Sequence, residues 1–137
     1  MELTINSSIY EIDDCDELRA RIAEAAKSQF LEIWLQGGER WPAICALVNN
    51  ETAWLMFMRH EGDAGFSTTN PNYAGPKDAA IEYYLSNGQR DEYPASWNIT
   101  TAEARRALKY FFEHRAMAPW LSWRETQPAQ ASRRFQN

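Results

Sequence analysis

Two long apolar runs joined by a short polar turn constrain the fold of this chain more than any other feature of its sequence. The first lies within "WPAICALVNN" (residues 41–50) and the second within "TAWLMFMRH" (residues 52–60). The connection "NNET" has the turn chemistry of a β-hairpin. Because both runs are almost continuously apolar, we expect them to be central strands of a sheet.

Further strands are predicted on both sides of this hairpin. "ELTINSSIYEI" alternates apolar and polar residues at Leu3, Ile5 and Ile9, which indicates a first strand or an extended arm. "FLEIWLQ" is a strand that ends at Gly37-Gly38, and "AAIEYYLSNGQRDEYPA" contains two strands around an Asn87-Gly88 turn. Gly, Asn and Pro punctuate "GFSTTNPNYAGP", which favours a loop or a short, exposed edge strand.

Two helices are predicted, near residues 14–29 and 101–115. The first can be capped by an aspartate of "DDCDE", and its apolar stripe is formed by Leu18, Ile22, Ala25 and Ala26. For the second, Thr100 or Thr101 is the cap of a capping box, and Pro119 is expected to stop the helix. "WLSW" then predicts a short last strand.

This order of elements predicts one α+β domain over residues 1–125, with two principal helices packed on a mainly antiparallel sheet of about five to seven strands. A chain of 137 residues can bury a sufficient core without a disulfide or metal. Of the two cysteines, Cys45 is expected in the core, and Cys15 lies among acids. Residues 126–137 are expected to form a flexible tail.

The net charge of the chain limits the classes of partner that it can bind. The formal net charge is −5, and residues 124–137 carry three arginines against one glutamate, which leaves −7 on residues 1–123. Nucleic acid is therefore an unfavourable direct ligand, whereas a basic partner would be attracted. The alternative is that the negative charge only keeps the protein soluble. Without a signal-like start or a long apolar run, we expect a cytoplasmic protein that neither crosses nor binds a membrane.

Residues with catalytic or metal-binding chemistry are sparse. His60 follows an apolar strand and precedes Glu61 and Asp63, so a small enzyme or ligand-binding domain centred on His60 is one alternative. His114 ends the second helix, where a cation is favoured by the helix dipole. We find no zinc spacing, calcium loop, phosphate-binding loop or nucleophile elbow, so no catalytic residue, metal or cofactor is predicted.

The end of the second helix carries a family resemblance. A pattern of small and apolar residues, a short turn, a proline and a tryptophan resembles the first-numbered family of bacterial immunity proteins. The pattern stands here as Ala104, Ala107, Leu108, Phe111, Phe112, Pro119 and Trp123. "GFSTTNP" and "EYPASW" resemble upstream pieces of that family, so the match covers about residues 28–125. "HRAMAPW" departs from it, since the family often has a glycine-containing turn there.

The resemblance implies a small cytoplasmic antidote whose partner is a cognate toxin domain of a polymorphic or contact-dependent system. Such toxins are often deaminases that act on nucleic acid, and the antidote blocks the active site or substrate groove. A basic groove in such a toxin would match the acidic excess of this chain. The remaining alternative is a non-catalytic adaptor module, and the oligomeric state stays open.

Acids and aromatics in loop-rich segments form the predicted toxin-binding rim. The segments are "HEGDAGF", "NPNYAG" and "RDEYPASW", and Trp120 is added from the turn after the second helix. The predicted contacts are Glu61, Asp63, Tyr73, Asp91, Glu92, Tyr93, Trp97 and Trp120. The alternative is that the acids form a solvated face and the aromatics close the sheet, and for Trp120 half-buried packing is as good a reading as contact. Trp123 is predicted to be a core residue.

Overall fold

The computed structural model describes residues 1–126, in which ten strands and two α-helices are found. The helices are α1 (Cys15–Ala25) and α2 (Thr101–His114), and a short 3₁₀ turn covers Ala95–Trp97. The strands are β1 (Glu2–Ile5), β2 (Ser8–Glu11), β3 (Phe30–Gln36), β4 (Ala43–Asn49), β5 (Thr52–Met58), β6 (Phe66–Thr69), β7 (Ala80–Tyr84), β8 (Arg90–Pro94), β9 (Ile99–Thr100) and β10 (Ser122–Glu125). The predicted tail lies outside the described residues, apart from Thr126.

Eight of these strands form one antiparallel sheet in the order β10-β6-β5-β4-β3-β1-β2, with β9 paired to one end of β5. The α+β class with two helices is therefore confirmed. The main sheet is larger than expected, because the N-terminal segment supplies two strands rather than one and β9 also joins it. The β7–β8 hairpin, predicted from its Asn87-Gly88 turn, forms a separate two-stranded sheet.

The expectation of an edge strand at "GFSTT" is wrong. β6 lies between β5 and β10, and Ser67 and Thr68 are fully buried. The Thr68 hydroxyl donates to the carbonyl of Trp97 and accepts from the amide of Leu55, which replaces hydrogen bonds that a buried hydroxyl would lose to water. The sheet edges are β10 and β2 instead.

One face of the sheet packs against both helices. The alternation of β3 directs Leu31, Ile33 and Leu35 to this face, while the residues between them point to the other face. α2 contributes Phe111, whose ring lies 6.1 Å from that of Phe57 in an edge-to-face contact. Burying a side chain of this size stabilises the fold by about 1.5–3 kcal/mol.

The β7–β8 hairpin packs on part of the opposite face, over β3 and β4, so the molecule has three layers there. This explains why β4 and β5 are apolar almost without interruption, since both of their faces are buried. Cys45 is fully buried there, as expected, beside Met56. Tyr83 anchors the hairpin with a buried hydroxyl that hydrogen-bonds Asn98, and burial raises the pKa of Tyr83.

The helix ends differ in detail from the prediction. Asp14 caps α1 by accepting from the Glu17 amide at 2.8 Å. α1 ends at Ala25 rather than near residue 29. The amide of Ser28 bonds the carbonyl of Ala25 only three residues back, and the carbonyl of Gln29 accepts from Asn50 in the β4–β5 turn. Neither helix within residues 1–126 is long and apolar enough to cross a membrane.

The predicted capping box of α2 is confirmed, with Thr100 and Glu103 bonding each other's backbone amides. The helix stops at Arg115, which takes a left-handed conformation with φ of 56°, and Pro119 lies beyond this end. The last strand begins at Ser122, so Trp120 belongs to the preceding turn.

Candidate functional site

The sheet face opposite the helices carries a concentration of aromatic side chains, which we call the aromatic face. It consists of Trp34, Trp41, Trp54, Tyr93 and Trp97. The rings of four of them are partly buried around the apolar centre of β4 and β5, and Trp54 is almost fully buried. Trp34 and Trp54 point to this side from β3 and β5. Tyr93 reaches it from β8 of the covering hairpin, and Trp41 and Trp97 from the segments before β4 and after β8.

Three of the rings are stacked into a ladder. The ring of Tyr93 lies flat on that of Trp54, with centroids 4.2 Å apart and planes at 8°. Trp97 follows at 6.0 Å, and the guanidinium of Arg124 lies 4.1 Å from the centroid of the Trp97 ring. Such rings are held in place before any partner arrives, so they would lose little rotamer entropy on binding.

Polar groups at this face are held in fixed positions beside the rings. The carboxylate of Asp91 accepts from the Tyr93 hydroxyl at 3.2 Å and from the side-chain amide of Gln89 at 2.6 Å. Glu32 accepts from the indole nitrogen of Trp34 at 3.0 Å and joins β3 to Ser86 in the hairpin. The face therefore combines large apolar rings with oriented carboxylates, as protein-binding surfaces often do.

Among the predicted contacts, Asp91, Tyr93 and Trp97 lie together at this face. Glu92 points to the opposite side of β8, where it and Glu82 bind Arg90 at 2.7 and 2.6 Å. These two carboxylates, Glu82 foremost, raise the pKa of Arg90.

Tyr73 and Glu61 lie in the flanking loops. The Tyr73 hydroxyl donates to the carbonyl of Pro76 at 2.8 Å, and the loop is tied to the 3₁₀ turn by a 2.7 Å bond from Asn70 to Ser96. Glu61 is exposed in the turn between β5 and β6.

Asp63 has a structural environment that competes with any external contact. Its side chain is buried, and its carboxylate binds the guanidinium of Arg59 at 2.8 and 2.9 Å as well as the amides of Arg59 and Gly65. The Arg59 side chain is the main reason that the pKa of Asp63 lies far below its ordinary value. The turn after β5 folds Asp63 back onto Arg59, the residue that follows this strand.

Trp120 lies on the helix side of the sheet, away from the other predicted contacts. It is 42% exposed, packs edge-to-face on Tyr110 of α2 at 5.4 Å, and lies under Arg106 at 4.8 Å. Trp123, predicted to be a core residue, is only partly buried; it packs against the helix-side core, and its indole donates to the carbonyl of Ala118 at 3.0 Å.

Trp34 and Trp41 were not among the predicted contacts. The sequence does contain a signal for the position of Trp34. In "FLEIWLQ" this residue is on the same side as Glu32 and Gln36, and these polar neighbours indicate a partly exposed face. Trp41 precedes a cis peptide bond to Pro42, and nothing in the sequence assigns its ring to this face.

The geometry around His60 does not form an acid–base pair. His60 is exposed, and its Nδ1 lies 3.0 Å from the Glu61 carbonyl rather than beside a carboxylate. Its other acidic neighbour, Asp63, is bound to Arg59. Within residues 1–126 no group of His, Cys, Asp and Glu side chains has the arrangement of a metal site.

The described residues form an α+β scaffold with stacked aromatics and oriented carboxylates on one side of its sheet. Comparison with protein families specifies the class: residues 7–125 match the model of immunity protein Imm1, and the chain belongs to this family. This confirms the resemblance drawn from the sequence. No curated protein matches the chain.

Proposed function

We propose that this chain is a cytoplasmic, non-catalytic antidote that binds a cognate toxin domain through its aromatic face. The toxin would be a nucleic-acid-targeting enzyme of the deaminase type, and bound antidote would cover its active site or substrate groove. The observation that carries the proposal is the ladder of Trp54, Tyr93 and Trp97 beside Asp91, on the scaffold of an immunity-protein family.

Physical reasons favour this face over the helix side. Tyr, Trp and Arg dominate the binding energy of protein interfaces when they lie in packed clusters, and this face contains all three. An enzyme that acts on nucleic acid needs basic groups in its groove. Asp91 and the net charge of −5 would accelerate association with such a groove and restrict the choice of partner.

Asp91, Tyr93 and Trp97 form the centre of the proposed contact. Glu61, Tyr73 and Glu92 are proposed as contacts at its margin. Asp63 is left out because its carboxylate holds a turn, and Trp120 because it lies on the helix side. Truncation of Tyr93 to Ala should weaken binding by about 2 kcal/mol or more if the ring is an anchor.

Co-expression with the toxin domain of the adjacent reading frame tests the proposal. Wild-type protein should protect cells from that toxin and should copurify with it. Added nucleic-acid substrate should compete with the antidote for the purified toxin if the substrate groove is covered. A folded wild-type protein that neither protects cells nor binds the toxin would contradict the proposed function. Protection without competition by the substrate would contradict only the proposal that the antidote covers the substrate groove.

A further inference from the structure

The outer edge of β2 offers unpaired backbone groups. The amide of Ile12 donates to the carbonyl of Met1 at 2.8 Å, which sets the alternation of the β1–β2 ladder. Residues 8 and 10 therefore bond toward β1, and the N–H and C=O groups of Ile9 and Glu11 point away from it. Within residues 1–126 no strand pairs with this edge.

The side chain of Ile9 adds an exposed apolar group to this edge. It is 68% exposed, more than any other large hydrophobic side chain of the described residues. Natural edges are commonly protected by Lys, Pro or a bulge, and Ser8–Glu11 contains none of these. An exposed isoleucine between outward-facing backbone groups is the arrangement that adds a further strand.

The edge is also continuous with the aromatic face. Ile9 pairs with Thr4, Thr4 with Trp34, and Trp34 with Cys45, so these side chains point to the same side of the sheet. Two strand spacings, about 10 Å, separate β2 from β3. A partner bound at the aromatic face could therefore reach the edge without a second binding domain.

The charge around the edge selects the kind of partner. Residues 1–18 contain six acids and no Lys or Arg, and five of these acids are exposed. The ammonium group of Met1 binds Glu11 at 2.7 Å, Arg19 pairs with Asp16, and Arg21 lies over the ring of Tyr10. A second copy of the chain would bring another acidic segment to this edge, whereas a basic segment would be attracted.

We propose that a basic, extended segment of the toxin adds to β2 as a further strand of the main sheet. The inference rests on the proposed function, because it names a second contact for the same partner. Main-chain hydrogen bonds to Ile9 and Glu11 would supply the pairing, and the surrounding acids would select the basic segment.

Ile9→Pro tests the pairing, since it removes one outward N–H without removing a bond to β1, and Pro is tolerated on edge strands. With the purified, catalytically inert toxin domain of the adjacent reading frame, it should weaken binding roughly tenfold. Ile9→Val, which keeps the N–H, should bind within about twofold of wild type. Equal affinity of a folded Ile9→Pro protein and wild type would overturn the proposal.

Hydrogen exchange on the wild-type complex requires no variant. The amides of Ile9 and Glu11 should exchange more slowly when the toxin domain is bound. Unchanged exchange in a complex that forms would overturn the edge proposal alone, whereas a wild-type protein that does not bind would overturn the proposed function with it. Protection that appears without toxin and increases with protein concentration would identify a second copy as the occupant and contradict a toxin strand.

Discussion

Asp91 and Glu92 are sequence neighbours whose side chains leave β8 on opposite faces. Asp91 lies beside Tyr93 at the aromatic face, and Glu92 binds Arg90 on the outer side of the hairpin. They form a matched pair for testing which face meets the toxin, because Asp91→Asn and Glu92→Gln each remove one charge without changing side-chain shape.

Asp91→Asn should slow association with the toxin domain, and the difference from wild type should shrink as salt screens the charge. The loss of affinity should be about 1–3 kcal/mol if the carboxylate is desolvated in the complex. Glu92→Gln should have a smaller effect. Association rates at low and high salt provide the measurement, and a larger effect of Glu92→Gln would place the contact on the outer side.

Asp63 provides a prediction about stability at low pH. Its folded pKa lies below the ordinary value of about 3.9, so its contribution is fully present above that value and is lost as pH falls toward the folded pKa. Asp63→Asn should cost about 1 kcal/mol at neutral pH, since Arg59 is half exposed and solvent screens the pair. Chemical denaturation across pH 2–7 should show a difference between the two proteins that narrows below about pH 4. A constant difference would contradict this account.

At the scale of elements, the turn between β5 and β6 depends on Gly65. Its φ is +71°, and a Cβ atom there would lie 2.2 Å from the carbonyl oxygen of Phe57. Gly38 is a suitable control, because a Cβ atom at that position would meet no atom within 4 Å.

Gly65→Ala should reduce the free energy of unfolding by more than about 2 kcal/mol, since it adds left-handed strain to a backbone clash. Gly38→Ala should change it by less than about 0.5 kcal/mol. Denaturant unfolding of both variants checks the expectation. Equal stability of the two variants would show that the turn tolerates a side chain.

At the scale of the whole molecule, local patterns in the sequence predicted the elements better than their assembly. The Asn87-Gly88 turn, the α2 capping box and the two apolar strands were predictable because each depends on residues close together in the chain. The inner position of β6 was not, since it depends on β10, more than fifty residues away. For the same reason, the side of the sheet that Trp120 occupies could not be derived from its position after α2.

The candidate site was predictable only in part. The acids and aromatics of "RDEYPASW" were identified by composition, and three of them lie at the aromatic face. Their stacking on Trp54 depends on how the β7–β8 hairpin folds over the sheet, which no local pattern determines. The ion pair of Asp63 with Arg59 is local, since the two residues are four apart, but it forms only when the turn after β5 closes.

A comparison of two tryptophan truncations tests the central claim, that the toxin binds the aromatic face, most directly. Trp97 lies in the ladder, and Trp120 lies on the helix side with 42% of its surface exposed. Calorimetric affinities for the toxin domain should be measured for Trp97→Ala and Trp120→Ala, after circular dichroism has established that both variants fold. The account predicts a loss of about 2 kcal/mol or more for Trp97→Ala and little change for Trp120→Ala. Wild-type affinity of Trp97→Ala together with a large loss for Trp120→Ala would contradict it and assign toxin binding to the helix side.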